Sequence, residues 1–65
     1  MRSYAEEMFG DAMVLAGSGR FASISDLQAE LIGKYPDAHF LMFDEKYSHK
    51  LTYVNELLHK HGKRR

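Results

Sequence analysis

The segment "HFLMF", residues 39 to 43, decides whether this chain is all-helical or carries a strand. A brief apolar run fits a strand and an early helical turn equally well, because periodicity cannot separate the two over so few residues. The chain offers no second strand candidate, so a sheet could form only between chains. The expectation is therefore a helix. If it is continuous with the segment that follows, Phe40 and Phe43 share the stripe of Tyr47, Leu51, Val54 and Leu58, at roughly 100° per residue. Phe40 and Phe43 then enter the core, while Leu41 and Met42 point away from it. As a strand the faces would alternate, and one apolar set would again lack a place in a single small bundle.

Working outward, the segment after this run is the clearest helix. Tyr47, Leu51, Val54 and Leu58 recur at helical spacing, and Gly62 closes the pattern. On the other side lies "SGRFASISDLQAELIGKYPDA", residues 18 to 38: a glycine loop, a helix and a proline-marked turn. Ser25 followed three residues later by Gln28 has the spacing of a capping box. Ile24, Leu27 and Leu31 supply the apolar face. Gly33, in a left-handed conformation, and Pro36 are expected to end the helix. The first segment, from Ser3 to Ala16, is stopped by "GSG" at 17 to 19. Tyr4, Ala5, Met8, Ala12 and Leu15 share one of its faces, and Phe9, Met13 and Ala16 form a second stripe beside it. A helix apolar over so wide an arc is covered from two directions, so it sits centrally or faces a second chain. Gly10, in its middle, reads either as a point of close helix approach or as a tolerated surface glycine.

The expected fold is a single all-α domain over residues 1 to 65 that self-associates. Its three helices lie near 3–16, 25–34 and 40–61, followed by a basic tail at 62–65. At 65 residues with no cysteine, the chain has neither disulfides nor thiolate metal sites to reinforce a small core, which favours a homodimer. A cysteine-free chain fits a reducing compartment. No stretch approaches the roughly 20 apolar residues of a membrane span, and the run from Ala12 to Ala16 follows Glu6, Glu7 and Asp11, unlike a signal peptide. The expected setting is soluble and cytoplasmic, with no membrane partner.

Net charge is zero but unevenly placed. Residues 1 to 33 hold two arginines against five carboxylates, and residues 34 to 65 hold seven cations against four carboxylates. Such asymmetry can steer a charged partner to one end.

The turn at 25 to 38 also suggests a helix-turn-helix DNA reader, since Ala29 and Gly33 have the spacing of that motif. The segment after the turn, "AHFLMFDE", does not suit a recognition helix, which must present polar and basic groups to bases and phosphates. The tail "HKHGKRR" carries Lys60, Lys63, Arg64 and Arg65, which could neutralise phosphates. A sequence pI of about 6.9 lies far below the value above roughly 9 expected of a basic nucleic-acid domain. The tail's simpler role is to solubilise the chain and complement the third helix's dipole. Beyond Gly62 it has no apolar anchor, so it is expected to be dispensable for folding.

Catalytic and cofactor motifs are absent. His59 and His61 diverge on a helix, and His39 and His49 lack partners at ligand spacing. "AGSGR" lacks the lysine and hydroxyl residue of a phosphate loop. The adjacent pairs Glu6–Glu7 and Asp44–Glu45 diverge on helices. No enzyme activity, metal or cofactor is expected.

The stretch "LAGSGRFASISDLQAEL", residues 15 to 31, resembles a phrase found in short uncharacterised helical proteins of bacteria and of their phages and plasmids. That resemblance implies an accessory or mobile-element setting and carries over no functional residues.

The leading functional expectation is a small non-enzymatic regulator, adaptor or inhibitor acting by protein contact. Phe9, Met13, Leu41 and Met42 are its candidate partner-binding residues, and four methionines suit an adaptable surface. The alternative is a DNA-binding regulator using the 25–38 segment together with Lys60, Lys63, Arg64 and Arg65.

Overall fold

The computed structural model describes residues 2–63 and shows a small all-α domain. Its elements are α1 (Tyr4–Gly17), α2 (Ile24–Lys34), α3 (Ala38–Met42), a single 3₁₀ turn (Glu45–Tyr47) and α4 (Ser48–His61). The expected third helix is thus two helices and a 3₁₀ turn, and no strand occurs among the described residues.

Helix α1 begins with a reciprocal capping box. The Glu6 N–H donates to Ser3 Oγ and the Ser3 N–H donates to Glu6 Oε1, each at 3.2 Å. Two of the N–H groups that open the helix are thereby satisfied. The same contacts, led by the backbone bond from Ser3, hold the exposed Glu6 carboxyl below its ordinary range. Ala5, Met8, Phe9, Ala12 and Ala16 form the buried face. These positions merge the two stripes read from the sequence, and α1 packs against both α4 and α2. Much of the wide apolar arc is therefore buried within the chain, with Met13 and Leu15 partly buried and Tyr4 exposed. Gly10 is not a point of close helix approach: a Cβ there would meet only the Arg2 guanidinium, at 3.6 Å.

Helix α2 starts earlier than expected. Ser23, not Ser25, is the cap, accepting the Asp26 N–H at 3.3 Å. The earlier start frees the Gln28 side chain, which turns to His39 instead. Leu27 and Leu31 face the core. Gly33 does not end the helix. The backbone stays helical through Lys34, and the only positive φ among the described residues is +79° at Gly19. Pro36 is the terminator, because its ring excludes helical geometry at the preceding residue. Tyr35 accordingly adopts φ −126°, ψ 90°, and the Ala38 N–H closes the turn on the Tyr35 carbonyl at 2.9 Å.

Helix α3 sets its own register. Ala38 and Met42, one turn apart, are fully buried. Leu41 packs partly against the core, and Phe40 and Phe43 face outward. The inward Phe40 and outward Met42 expected from the sequence are thus inverted. The cause lies at Asp44, whose backbone turns extended (φ −72°, ψ 129°) and whose carboxylate accepts the Lys46 N–H at 2.9 Å to start the 3₁₀ turn. That break resets the helical phase, so positions counted back from Tyr47 land on the wrong face.

Helix α4 buries Val54 and Leu58, with Tyr47, Leu51 and Leu57 packed at the edge of the core. The Tyr47 ring meets that of Phe9 at 5.5 Å between centroids. Met8, Phe9, Leu27, Met42 and Val54 are the largest fully buried side chains, each stabilising the fold by about 1.5 to 3 kcal/mol.

The end of α4 is clasped to the α1–α2 loop. The Gly62 N–H donates to Leu58 O and the Lys63 N–H donates to Phe21 O, both at 2.7 Å. A Cβ at Gly62 would lie 2.9 Å from Phe21 O and collide with the Leu58 carbonyl. Glycine is needed there for close approach rather than for a left-handed backbone. Lys63 is therefore tied to the loop through its backbone, a polar contact in a tail expected from the sequence to have no apolar anchor. Arg64 and Arg65 lie outside the described residues.

Candidate interaction surface

Three aromatic rings gather on the outer face of α3. Phe40 is 74% exposed and Phe43 is 58% exposed. His39, one turn before Phe43, lies against both: its ring centroid is 5.4 Å from that of Phe40 and 6.0 Å from that of Phe43, with steep interplanar angles of 80° and 61°. Such edge-to-face contacts restrain the rings relative to one another. Gln28 Nε2 approaches His39 Nδ1 at 3.4 Å, linking the cluster to α2. Beneath, Ala38 and Met42 root the short helix in the core. The result is an apolar patch held by packing from below, while its outer surface remains open to solvent.

Of the four partner-binding residues expected from the sequence, two are sealed inside the bundle. Phe9 and Met42 are buried and present no surface, while Met13 and Leu41 are partly buried against the core. Met8 is also fully buried, so the methionines that looked adaptable are chiefly packing residues. The patch was missed because its two phenylalanines were assigned to the core. A signal was available: Asp44 is a residue type that starts helical turns, and Ala38 with Met42 offers an alternative one-turn pair.

A second cluster joins α1 to the end of α2. Asp11 Oδ2 accepts a 2.5 Å hydrogen bond from the Tyr35 hydroxyl and a 3.1 Å bond from Lys34 Nζ. The Tyr35 bond is the main cause that holds the Asp11 carboxyl below its ordinary value, with Lys34 adding to it. The same carboxylate raises the pKa of Lys34 and of the Tyr35 hydroxyl, in each case mainly through its hydrogen bond. The Tyr35 ring also meets Tyr4 edge to face at 5.4 Å. Asp11 and Lys34 flank an open depression, shared with Val14, Leu15, Glu30 and Leu31. Within it Lys34 is paired with Asp11, and the Asp11–Lys34–Tyr35 cluster acts as a brace between helices. A second open depression lies on α4 among Thr52, Asn55, Glu56 and His59.

The basic residues lie apart from the aromatic patch in sequence. Lys60 is exposed in the last turn of α4, with His59 and His61 beside it, and Lys63 sits in the clasp with its side chain exposed. Among the described residues no group of three or more His, Asp or Glu is placed to hold a metal ion, and no helix is long and apolar enough to cross a membrane. Comparison with protein-family models, with curated proteins and with solved structures finds no match.

Proposed function

We propose that the chain is a small non-enzymatic regulator, adaptor or inhibitor that works by docking the α3 face, Phe40 and Phe43, onto another protein. The observation that carries this reading is the exposure of two phenylalanines, Phe40 on α3 and Phe43 at its C-terminal cap, that flank His39 on a short helix rooted in the core by Ala38 and Met42. Scattered single apolar side chains on a surface are ordinary, but an adjacent aromatic pair mounted on a fixed support is what contact hot spots use. The expected self-association is not carried into the proposal, since the buried face of α1, one of the two grounds for it, packs within the chain's own core.

The DNA-binding alternative has less to stand on. The helix after the turn has five residues, carries no lysine or arginine, and projects Phe40 and Phe43. A groove-reading helix needs the opposite surface.

Site-specific photo-crosslinking tests the proposal. A benzoylphenylalanine at position 40 or 43, introduced in cells that make the protein, is expected to give a discrete adduct with a second protein. The same group at exposed Asn55 on α4 is expected to give none. Equal adducts from all three positions, or none from 40 and 43, would overturn the reading.

A further inference from the structure

We propose that the Phe40–Phe43 face receives a short cationic segment of its partner, one that lays arginine or lysine side chains across the two rings. This rests on the protein-contact reading above and adds the chemistry of the partner.

Area excludes a broad apolar interface built on this patch alone. Whole aromatic side chains contribute about 150 to 250 Å² each, so two partly exposed rings present on the order of 250 Å². A stable dimer buries roughly 800 Å² on each partner. The patch has the size of a peptide-binding spot.

Charge then selects the occupant. Asp37 stands one turn before Phe40, at the N-cap of α3, and its side chain makes no capping bond. Asp44 and Glu45 follow Phe43 directly, and all three carboxylate residues are exposed. Asp44 spends one oxygen on the Lys46 N–H, leaving the other to accept. The two ion pairs found among the described residues, Arg20 with Glu30 and Lys34 with Asp11, take none of these three. The nearest cation in sequence, Lys46, lies over the Tyr47 ring at 5.7 Å. A second copy docked symmetrically through this face would bring the same carboxylates together, which is unfavourable. A cationic segment meets both features at once. Its alkyl stems lie on the ring edges, its charged heads stand over the ring faces, and the carboxylates receive them.

The test uses the whole chain and a fluorescent synthetic peptide alternating arginine with leucine, with the glutamate-for-arginine peptide as control. Binding is read by anisotropy and located by amide chemical shifts. The arginine peptide is expected to saturate and to perturb residues 37 to 45, and the glutamate peptide to leave them unmoved. Phe40→Ser with Phe43→Ser should weaken binding roughly tenfold or more. A triple variant, Asp37→Asn, Asp44→Asn and Glu45→Gln, keeps the Asp44 capping acceptor as an amide. It should weaken binding several-fold, as loss of exposed ion pairs does, and flatten the salt dependence between about 50 and 300 mM. Equal binding of the glutamate peptide, indifference to both variants, or a sedimenting homodimer that the phenylalanine substitutions dissociate would overturn the proposal. A crosslinked partner that contacts positions 40 and 43 through an acidic segment would overturn it while leaving the protein-contact function intact. Absence of any crosslink would remove both.

Discussion

The α1–α4 pair and the α3 region carry similar apolar residues and use them in opposite ways. In α1 and α4 the stripes run unbroken over several turns, and Met8, Val54 and Leu58 go where their spacing directs them, while Phe9, expected to face a partner, joins them in the core. Around α3 the run His39 to Phe43 is equally apolar, yet its two phenylalanines face solvent while Ala38 and Met42 fill the core. A helical stripe carries phase only as far as the hydrogen-bond ladder is continuous. Asp44 interrupts that ladder, so α3 takes its register from the Tyr35–Ala38 turn behind it.

The largest expected effect separates the two faces of α3. Met42→Ala should cost about 2 to 5 kcal/mol, a large share of the roughly 3 to 10 kcal/mol that a domain of this length holds. Phe40→Ala should stay within about 0.5 kcal/mol of the parent, as exposed substitutions do. Urea midpoints of the two variants measure this, and a reversed order would restore the register read from the sequence. The clasp comes next. Gly62→Ala must move a carbonyl of Leu58 or Phe21, and should destabilise by about 1 to 3 kcal/mol as overpacking does. Gly33→Ala has open space around it and should be neutral or stabilising by up to about 1 kcal/mol through helix propensity. Equal effects at the two glycines would show that the Lys63–Phe21 bond does not hold the C-terminal end.

Much of the fold was legible in the sequence, and the errors have local causes. The all-α class and the α4 stripe follow from apolar spacing alone, whereas spacing left α1 either central or facing a second chain, and only the packing of Met8 and Phe9 places it in the core. The α2 cap was misplaced because Ser23 and Ser25 both precede an apolar turn, and only packing of Ile24 and the diversion of Gln28 to His39 separate them. Gly33 was read as a terminator because glycine permits a left-handed cap, whereas Pro36 makes that cap unnecessary. The candidate site was the least legible part. Phe40 looks like a core residue by composition, and its exposure depends on a single backbone break. The Asp11–Tyr35–Lys34 brace joins residues 23 and 24 positions apart, a distance no local pattern reveals.

A smaller effect follows from the cap choice. Ser23→Ala should cost about 1 kcal/mol, the usual loss for a capping hydroxyl, and Ser25→Ala should cost a few tenths at most. Thermal melts of the two variants decide it. A larger loss at Ser25 would put the helix start two residues later and free Ile24.

The smallest effect is a pH dependence in the brace. The folded Asp11 carboxyl titrates below its ordinary value near 3.8, so its contribution is complete above that value and is lost as pH falls through the lower, folded one. Lys34 and Tyr35 titrate above their ordinary values near 10.5 and 10.0. Their contribution is complete below those values and is lost as pH rises through the raised ones. Between the two windows the brace is insensitive to pH. Asp11→Asn should therefore lower the urea midpoint at pH 7 and approach the parent as the solution becomes more acid than about pH 4. A constant difference across that range would mean the Asp11 carboxylate gains nothing from folding.

The orientation of α3 is the claim on which the interaction surface depends, and native-state thiol labelling tests it most directly because the chain has no cysteine of its own. Single variants Phe40→Cys, Phe43→Cys and Met42→Cys would be exposed to a thiol reagent without denaturant, each calibrated against its own rate in urea. Positions 40 and 43 should label within roughly tenfold of the unfolded rate, and position 42 should be protected by about two orders of magnitude or more, reacting only through opening of the fold. Rapid labelling at 42 with protection at 40 would contradict the structure's register and remove the aromatic face from the surface.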